Sequence, residues 1–266
     1  MLGKLIKYDL QAASRIFILI HGIYILICLA ARFFYMDKLN FDNPTELLVT
    51  SLALFMILYI VLISALDIFT SLQIAFRFYK NLFSREGYLS WTLPVSGVQH
   101  LWGKLISGYI LLVIDATVIA AGILILVTGK NVTDAYSVIA DSVTNELGMT
   151  ISSFGLFVYL FVLVSCISSV VMIYFCIAVG QLFPGHRVLC AIAAYFITSF
   201  VIQIFSLLLM ALMGCFPGYE FYQSKGAAMT VYMSKLFLAS AILMLLILVI
   251  QYIATHYIMK KKIDLL

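Results

Sequence analysis

Residues Leu105–Thr128 read LISGYILLVIDATVIAAGILILVT: 24 residues with a single charge, Asp115. A helix that crosses the hydrocarbon core of a bilayer needs about 20 mostly apolar residues. Transmembrane β-strands would instead alternate in segments of about ten residues. The run is continuous and long, so it predicts a membrane-spanning helix. Five other stretches read the same way: Ile16–Tyr35, Leu47–Phe76, Ile151–Val179, Val188–Cys215 and Ser234–Tyr257. The expected fold is therefore an all-α membrane protein with six transmembrane helices.

Composition agrees. Of 266 residues, 64% are hydrophobic and 11% charged, against about 45–50% and about 25% in soluble domains. Mean hydropathy is +1.13. A soluble globular domain, a disordered chain and a nucleic-acid-binding protein are all excluded. The longest stretch between spans runs from about Arg77 to Lys104, below the roughly 40 residues that an independent domain usually needs. Residues 1–266 thus form one transmembrane domain with no soluble catalytic part. Energy for any transport must come from another chain or from an ion gradient.

Lysine and arginine set the orientation. With the N-terminus inside, eleven of the 16 fall on the inner side: Lys4, Lys7, Arg15, Arg77, Lys80, Arg85, Lys104, Arg187 and Lys260 to Lys262. Both termini are expected to be cytoplasmic. The first span is long and lacks a small-residue cleavage site, so it does not read as a signal peptide. The five cysteines lie in or at the edges of spans and read as buried free thiols.

Residues 1–15 read as an amphipathic interfacial helix. Leu2, Leu5, Ile6, Leu10 and Ala13 share one face, and Lys4, Lys7, Gln11, Ser14 and Arg15 the other. Asp9 projects into the apolar face. A carboxylate there needs a partner, either a local Lys or Arg or a contact that couples the helix to a moving neighbour.

The segment 77–104, RFYKNLFSREGYLSWTLPVSGVQHLWGK, is dense in basic and aromatic residues. Phe76 to Ser84 can continue the helix of span two, and Gly87 suits a helix stop. Pro94 disfavours helix at Leu93, and Ser96 suits a helix N-cap. A docking knob and a plain basic loop are both consistent with this pattern.

The N-terminal MLGKLIKYDL, the stretch RFYKNLFSREGYLSWTLPVS and the six-span layout with both ends inside resemble an ABC-2-type permease subunit, of the short six-span bacterial exporter kind. The resemblance implies a coupling helix between spans two and three that docks on an ATPase subunit. Arg77, Phe78, Tyr79, Lys80, Phe83, Arg85, Glu86, Gly87, Tyr88 and Trp91 would carry that contact. The turn between spans four and five, with Phe183, Pro184, His186 and Arg187, would give a second one. It implies two ATPase subunits as partners and a second permease chain, identical or homologous. It also implies the bacterial cytoplasmic membrane as location and an amphipathic or peptide-like cargo.

A nucleotide site of the chain's own is not expected. The nearest match to a P-loop, Gly97 to Leu105, has five residues between its glycines and Leu where Mg²⁺ needs a hydroxyl. ATP and Mg²⁺ would sit on the partner. The chain shows no protease or hydrolase signature, and His21, His100, His186 and His256 are too scattered for a metal site.

Asp67 and Asp115 are the only acids within spans, and His21 lies early in span one. Asp115 lies about 15 Å into span three, so it must be protonated, paired or facing water. An interhelical hydrogen bond and a polar point on a transport path are both open readings. The alternative function is a gradient-driven secondary carrier that uses Asp67 and Asp115. The serines of span four read as close helix packing, and 214–232 as either a re-entrant gate or an interfacial loop.

Overall fold

The computed structural model describes residues 2–41, 45–84, 87, 92, 94–214 and 227–261. Among the described residues there are seven helices and no strand. They are α1 (Leu2–Phe34), α2 (Glu46–Phe83), α3 (Gly97–Val127), α4 (Lys130–Leu147), α5 (Ile151–Gly180), α6 (Arg187–Leu212) and α7 (Ala227–Lys261). A 3₁₀ turn follows α1 at Met36–Lys38. All but α4 contain a segment long and apolar enough to cross a membrane, and the chain is a multi-pass membrane protein. Six crossings bring the start of α1 and the end of α7 to one end of the bundle, here the proximal end, together with the α2–α3 connection and the α5–α6 turn. The α3–α5 connection, which holds α4, lies at the distal end.

Helix starts follow local chemistry. Thr45 accepts from the Leu48 amide at 3.2 Å and opens α2. Ser96 and Gln99 form a reciprocal capping box at the start of α3. Thr150 does the same work for α5, accepting from the Ser153 amide. Gly148 closes α4 in the left-handed region at φ 73°, where a Cβ would be strained.

Several elements run past their apolar stretches. α1 is one unbroken helix of 33 residues, about 50 Å at 1.5 Å per residue. Residues 2–15, expected as a separate interfacial element, form its first turns, and their apolar face packs on α3, with Leu2 and Leu5 over Gly103. α2 continues to Phe83, which shortens the connection to α3 to residues 84–96.

The helices form two groups of three. α1 lies along α3, with α2 beside them; α6 and α7 both flank α5. Contacts of α5 with α2 and α3 join the groups. α1 buries one stripe only: Asp9, Ala13, Phe17, His21, Tyr24 and Cys28, spaced three or four apart as a single helix face requires. Two glycines of α3 permit close approach. A Cβ on Gly108 would stand 2.9 Å from the Tyr174 hydroxyl, and one on Gly122 would collide with the Tyr24 ring and hydroxyl.

The packed core sits toward the proximal end. The buried residues of α2 are Leu66, Thr70, Ile74, Phe78, Leu82 and Phe83, all in its second half. Those of α5 begin at Cys166. The distal halves of both helices bury no residue.

α4 has a clear apolar stripe, Val132, Tyr136, Ile139, Val143 and Leu147, yet buries none of it. Asn131 donates to the Leu39 carbonyl at 2.9 Å, and Thr230 of α7 donates to the Leu147 carbonyl at 3.0 Å. The helix is thus pinned near the end of α1 and again at α7.

Candidate functional site

Asp9 lies in the seam where α1 meets the proximal ends of α2 and α3. It is 8% exposed. Arg77 of α2 and Ser107 of α3 both donate to its carboxylate, and the Lys104 ammonium stands 2.6 Å from Oδ1. One carboxylate thus serves two cations from two helices. The Tyr174 hydroxyl of α5 donates to the Lys104 carbonyl at 2.9 Å, which adds a fourth helix. The Tyr174 ring stacks on Phe78 at 3.8 Å, and Phe78 meets Phe83 edge-on at 5.5 Å. The base of the α2–α3 connection is therefore fastened to α1 by charge and to α5 by aromatic packing. A buried carboxylate with two cationic partners holds its geometry firmly, because losing either side leaves an uncompensated charge.

The second polar site is deeper in the bundle. His21 of α1 directs Nδ1 at the Phe17 carbonyl, 2.8 Å away. A carbonyl only accepts, so Nδ1 carries a hydrogen. His21 Nε2 stands 2.6 Å from Asp115 Oδ1 of α3, and Thr70 of α2 donates to the same oxygen at 3.0 Å. One proton is shared between Nε2 and Oδ1, and the pair has no net charge whichever atom holds it. That arrangement removes the cost of an isolated charge at this depth.

One to two turns toward the distal end, Tyr59 donates to the Tyr24 hydroxyl at 2.8 Å, and Tyr24 donates to the Ile119 carbonyl at 3.2 Å. Beyond them Arg32 donates to the Ile125 carbonyl and to Thr128. Polar contacts recur along the whole length of α1.

Asp67 is different. It is exposed and has no hydrogen-bond or ion-pair partner among the described residues.

The residues singled out from sequence fall into distinct environments. Phe78 is fully buried, and Phe83 and Gly87 are buried too. A Cβ on Gly87 would stand 2.7 Å from the Leu82 carbonyl oxygen, so a glycine is required there. Arg77 turns inward to Asp9. Tyr79 is half-buried and Lys80 exposed on the same stretch. Arg85, Glu86, Tyr88 and Trp91 lie outside the described residues, as does most of 214–232. Phe183, Pro184 and His186 are exposed on the α5–α6 turn, with Arg187 half-buried at the start of α6. Among the described residues no group of three or more His, Cys, Asp or Glu side chains is placed to hold a metal ion.

Sequence reasoning named His21 and Asp115 separately and missed their pairing. It asked for a basic partner for Asp9 without identifying Arg77 and Lys104. It missed α4 altogether, although the spacing of Val132, Tyr136, Ile139 and Val143 carries a helical signal.

Compared with family models, curated proteins and solved structures, the chain has no match.

Proposed function

We propose that this chain is the membrane-spanning permease subunit of an ATP-driven exporter in the bacterial cytoplasmic membrane, with both termini cytoplasmic. A separate ATPase subunit would dock on the 77–104 segment and bind the ATP and Mg²⁺. Two such subunits and a second permease chain would complete the assembly, and the cargo would be amphipathic or peptide-like.

The observation that carries this reading is the Asp9 cluster. A connection that receives a push must sit on a frame that passes it on. Here the helices flanking residues 84–96 are joined to α1 through Asp9, Arg77, Lys104 and Ser107. The exposed turn Phe183–His186 lies at the same end and supplies a second surface for the same partner. Because Arg77, Phe78 and Phe83 are turned inward, the docking surface in this reading would be Tyr79, Lys80 and the 84–96 connection.

The test is a mild-detergent pull-down of the tagged chain from native membranes, with co-purifying proteins identified and ATP hydrolysis assayed. A stoichiometric P-loop ATPase, lost when residues 84–91 are altered, supports the reading. A chain that purifies without an ATPase across several detergents overturns it.

The gradient-driven carrier has one observation in its favour: Asp67, within a span, has no partner among the described residues. It predicts transport by the chain alone in liposomes without ATP.

A further inference from the structure

Among the described helices, α4 alone is too polar to cross a membrane, and it is tied at both ends to helices that do. Only residues 128–129 separate it from α3, and only residues 148–150 separate it from α5. Connections that short reach about 10–15 Å when fully extended. α4 itself has 18 residues, about 27 Å of helix. Standing upright, it would carry its far end beyond the reach of the chain that returns to α5. It therefore lies along the distal face of the bundle, held by the Leu39 carbonyl at one end and Thr230 at the other.

Its level is that of the distal membrane boundary. Arg32, a late charge on α1, donates to the Thr128 carbonyl at 3.2 Å, just before α4 starts, and Asp37 stands 3.8 Å from Arg32. Lys130 then opens α4. In the last turn of α3, Leu124 and Val127 are 59% and 45% exposed, as lipid-facing residues of a span are. The two sides of α4 differ in the same sense. Val132, Tyr136, Val143 and Leu147 are half-buried, with Ile139 exposed among them, whereas Asp134, Ser137, Asp141, Ser142 and Asn145 are all exposed. The apolar stripe is thus turned toward the spans and the polar side away from them. The protein covers that stripe only in part, chiefly through the Met36–Lys38 turn and α7.

We propose that α4 is a lipid-binding surface helix, with Val132, Tyr136, Ile139, Val143 and Leu147 seated at the boundary between headgroups and acyl chains of the distal leaflet. Lipid is the occupant because the stripe continues a surface that lipid already wets, the exposed end of α3 two residues away. A helix with one apolar and one charged side, lying in the plane of the boundary, is the form that such a position stabilises. Lys130 is outnumbered by Asp134, Asp141 and Glu146, so attachment rests on apolar burial and not on attraction to anionic lipid. Through its two pins, α4 ties the turn after α1 and the start of α7 to that leaflet.

The test is fluorescence quenching on the full chain in phosphatidylcholine liposomes. Trp91 and Trp102 are the only tryptophans, and both are replaced by Phe. One tryptophan is then added at a time: Tyr136→Trp or Val143→Trp on the stripe, Asp134→Trp or Asp141→Trp on the polar side. None of the four positions is buried, and monodisperse elution before reconstitution checks each fold. Phosphatidylcholine brominated on its upper acyl carbons is expected to dim the stripe tryptophans at least about two-fold and leave the polar-side ones nearly unchanged. Aqueous acrylamide should show the opposite order. Equal acrylamide quenching on both sides means that the helix stands in water and overturns the proposal. Stripe tryptophans reached by neither quencher are covered by protein, from this chain or a second copy, and overturn it too. The inference does not use the exporter reading, so this measurement and the ATPase pull-down can fail separately.

Discussion

His21 and Asp115 are 94 residues apart in sequence and 2.6 Å apart in the bundle, and the Phe17 carbonyl settles which nitrogen of the imidazole faces the carboxylate. With Nδ1 protonated, a neutral His21 presents only a lone pair at Nε2. An amide nitrogen in place of Oδ1 can donate one hydrogen to that lone pair and the other to the Thr70 hydroxyl oxygen, which turns from donor to acceptor. Asp115→Asn is therefore expected to unfold within a few degrees of the parent chain. Asp115→Ala strands both His21 and Thr70 and is expected to cost about 1–3 kcal/mol, at the lower end if the membrane reference state finds new partners. Thermal unfolding in nanodiscs, read by loss of the monodisperse peak, separates the two.

Asp9 balances two cations that are themselves mostly buried, Arg77 at 17% and Lys104 at 13% side-chain exposure. Asp9→Ala should be among the most damaging single changes in the chain, about 3–5 kcal/mol by the usual cost of breaking a buried pair. Adding Lys104→Met should recover part of the loss, because one of the two stranded charges is removed. Yield of monodisperse protein reports both steps; an Asp9→Ala chain as stable as the parent would contradict the geometry.

Gly122 and Gly22 offer an internal contrast. A methyl at Gly122 collides with the Tyr24 ring and hydroxyl, whereas one at Gly22 meets nothing within 4 Å. Gly122→Ala is expected to cost about 1–3 kcal/mol through displaced packing. Gly22→Ala is expected to be neutral or slightly stabilising, since alanine is the better helix former. Melting temperatures of the two variants should move apart.

Phe78 and Tyr88 separate support from contact. Phe78→Ala removes a fully buried ring and should cost about 3–5 kcal/mol of stability, with transport lost because the fold is lost. Tyr88→Ala and Glu86→Ala should leave insertion and yield unchanged. They should reduce transport about 30-fold or more if each anchors the ATPase at roughly 2 kcal/mol. Transport at parental rate in both would move the coupling contact elsewhere.

The spans were legible because each carries its own signal: twenty or so apolar residues suffice, whatever the neighbours do. Ser96 as a cap and Asp9 as a residue in need of a partner were legible for the same reason. What one sequence does not carry is the rotation of each helix about its axis. Nothing local says that His21 turns to Asp115, or that Arg77 and Phe78 face inward where a docking residue would face out. Basic and aromatic composition in 77–104 suggested a contact surface, but Arg77 is taken up by Asp9 and Phe78 by Tyr174. α4 escaped for a different reason: its apolar stripe is narrow and its polar face broad, so by composition it read as a connection.

The unbroken course of α1 has a mechanical consequence. Asp9, His21, Tyr24 and Arg32 are fixed points on one rod about 50 Å long, each gripping α2, α3 or both. No glycine pair or proline interrupts it between Leu2 and Phe34, so it has no joint at which to bend. Displacing Asp9 relative to Arg77 and Lys104 would therefore load the contacts of Arg32 at the far end of the same helix, next to the turn on which α4 is pinned.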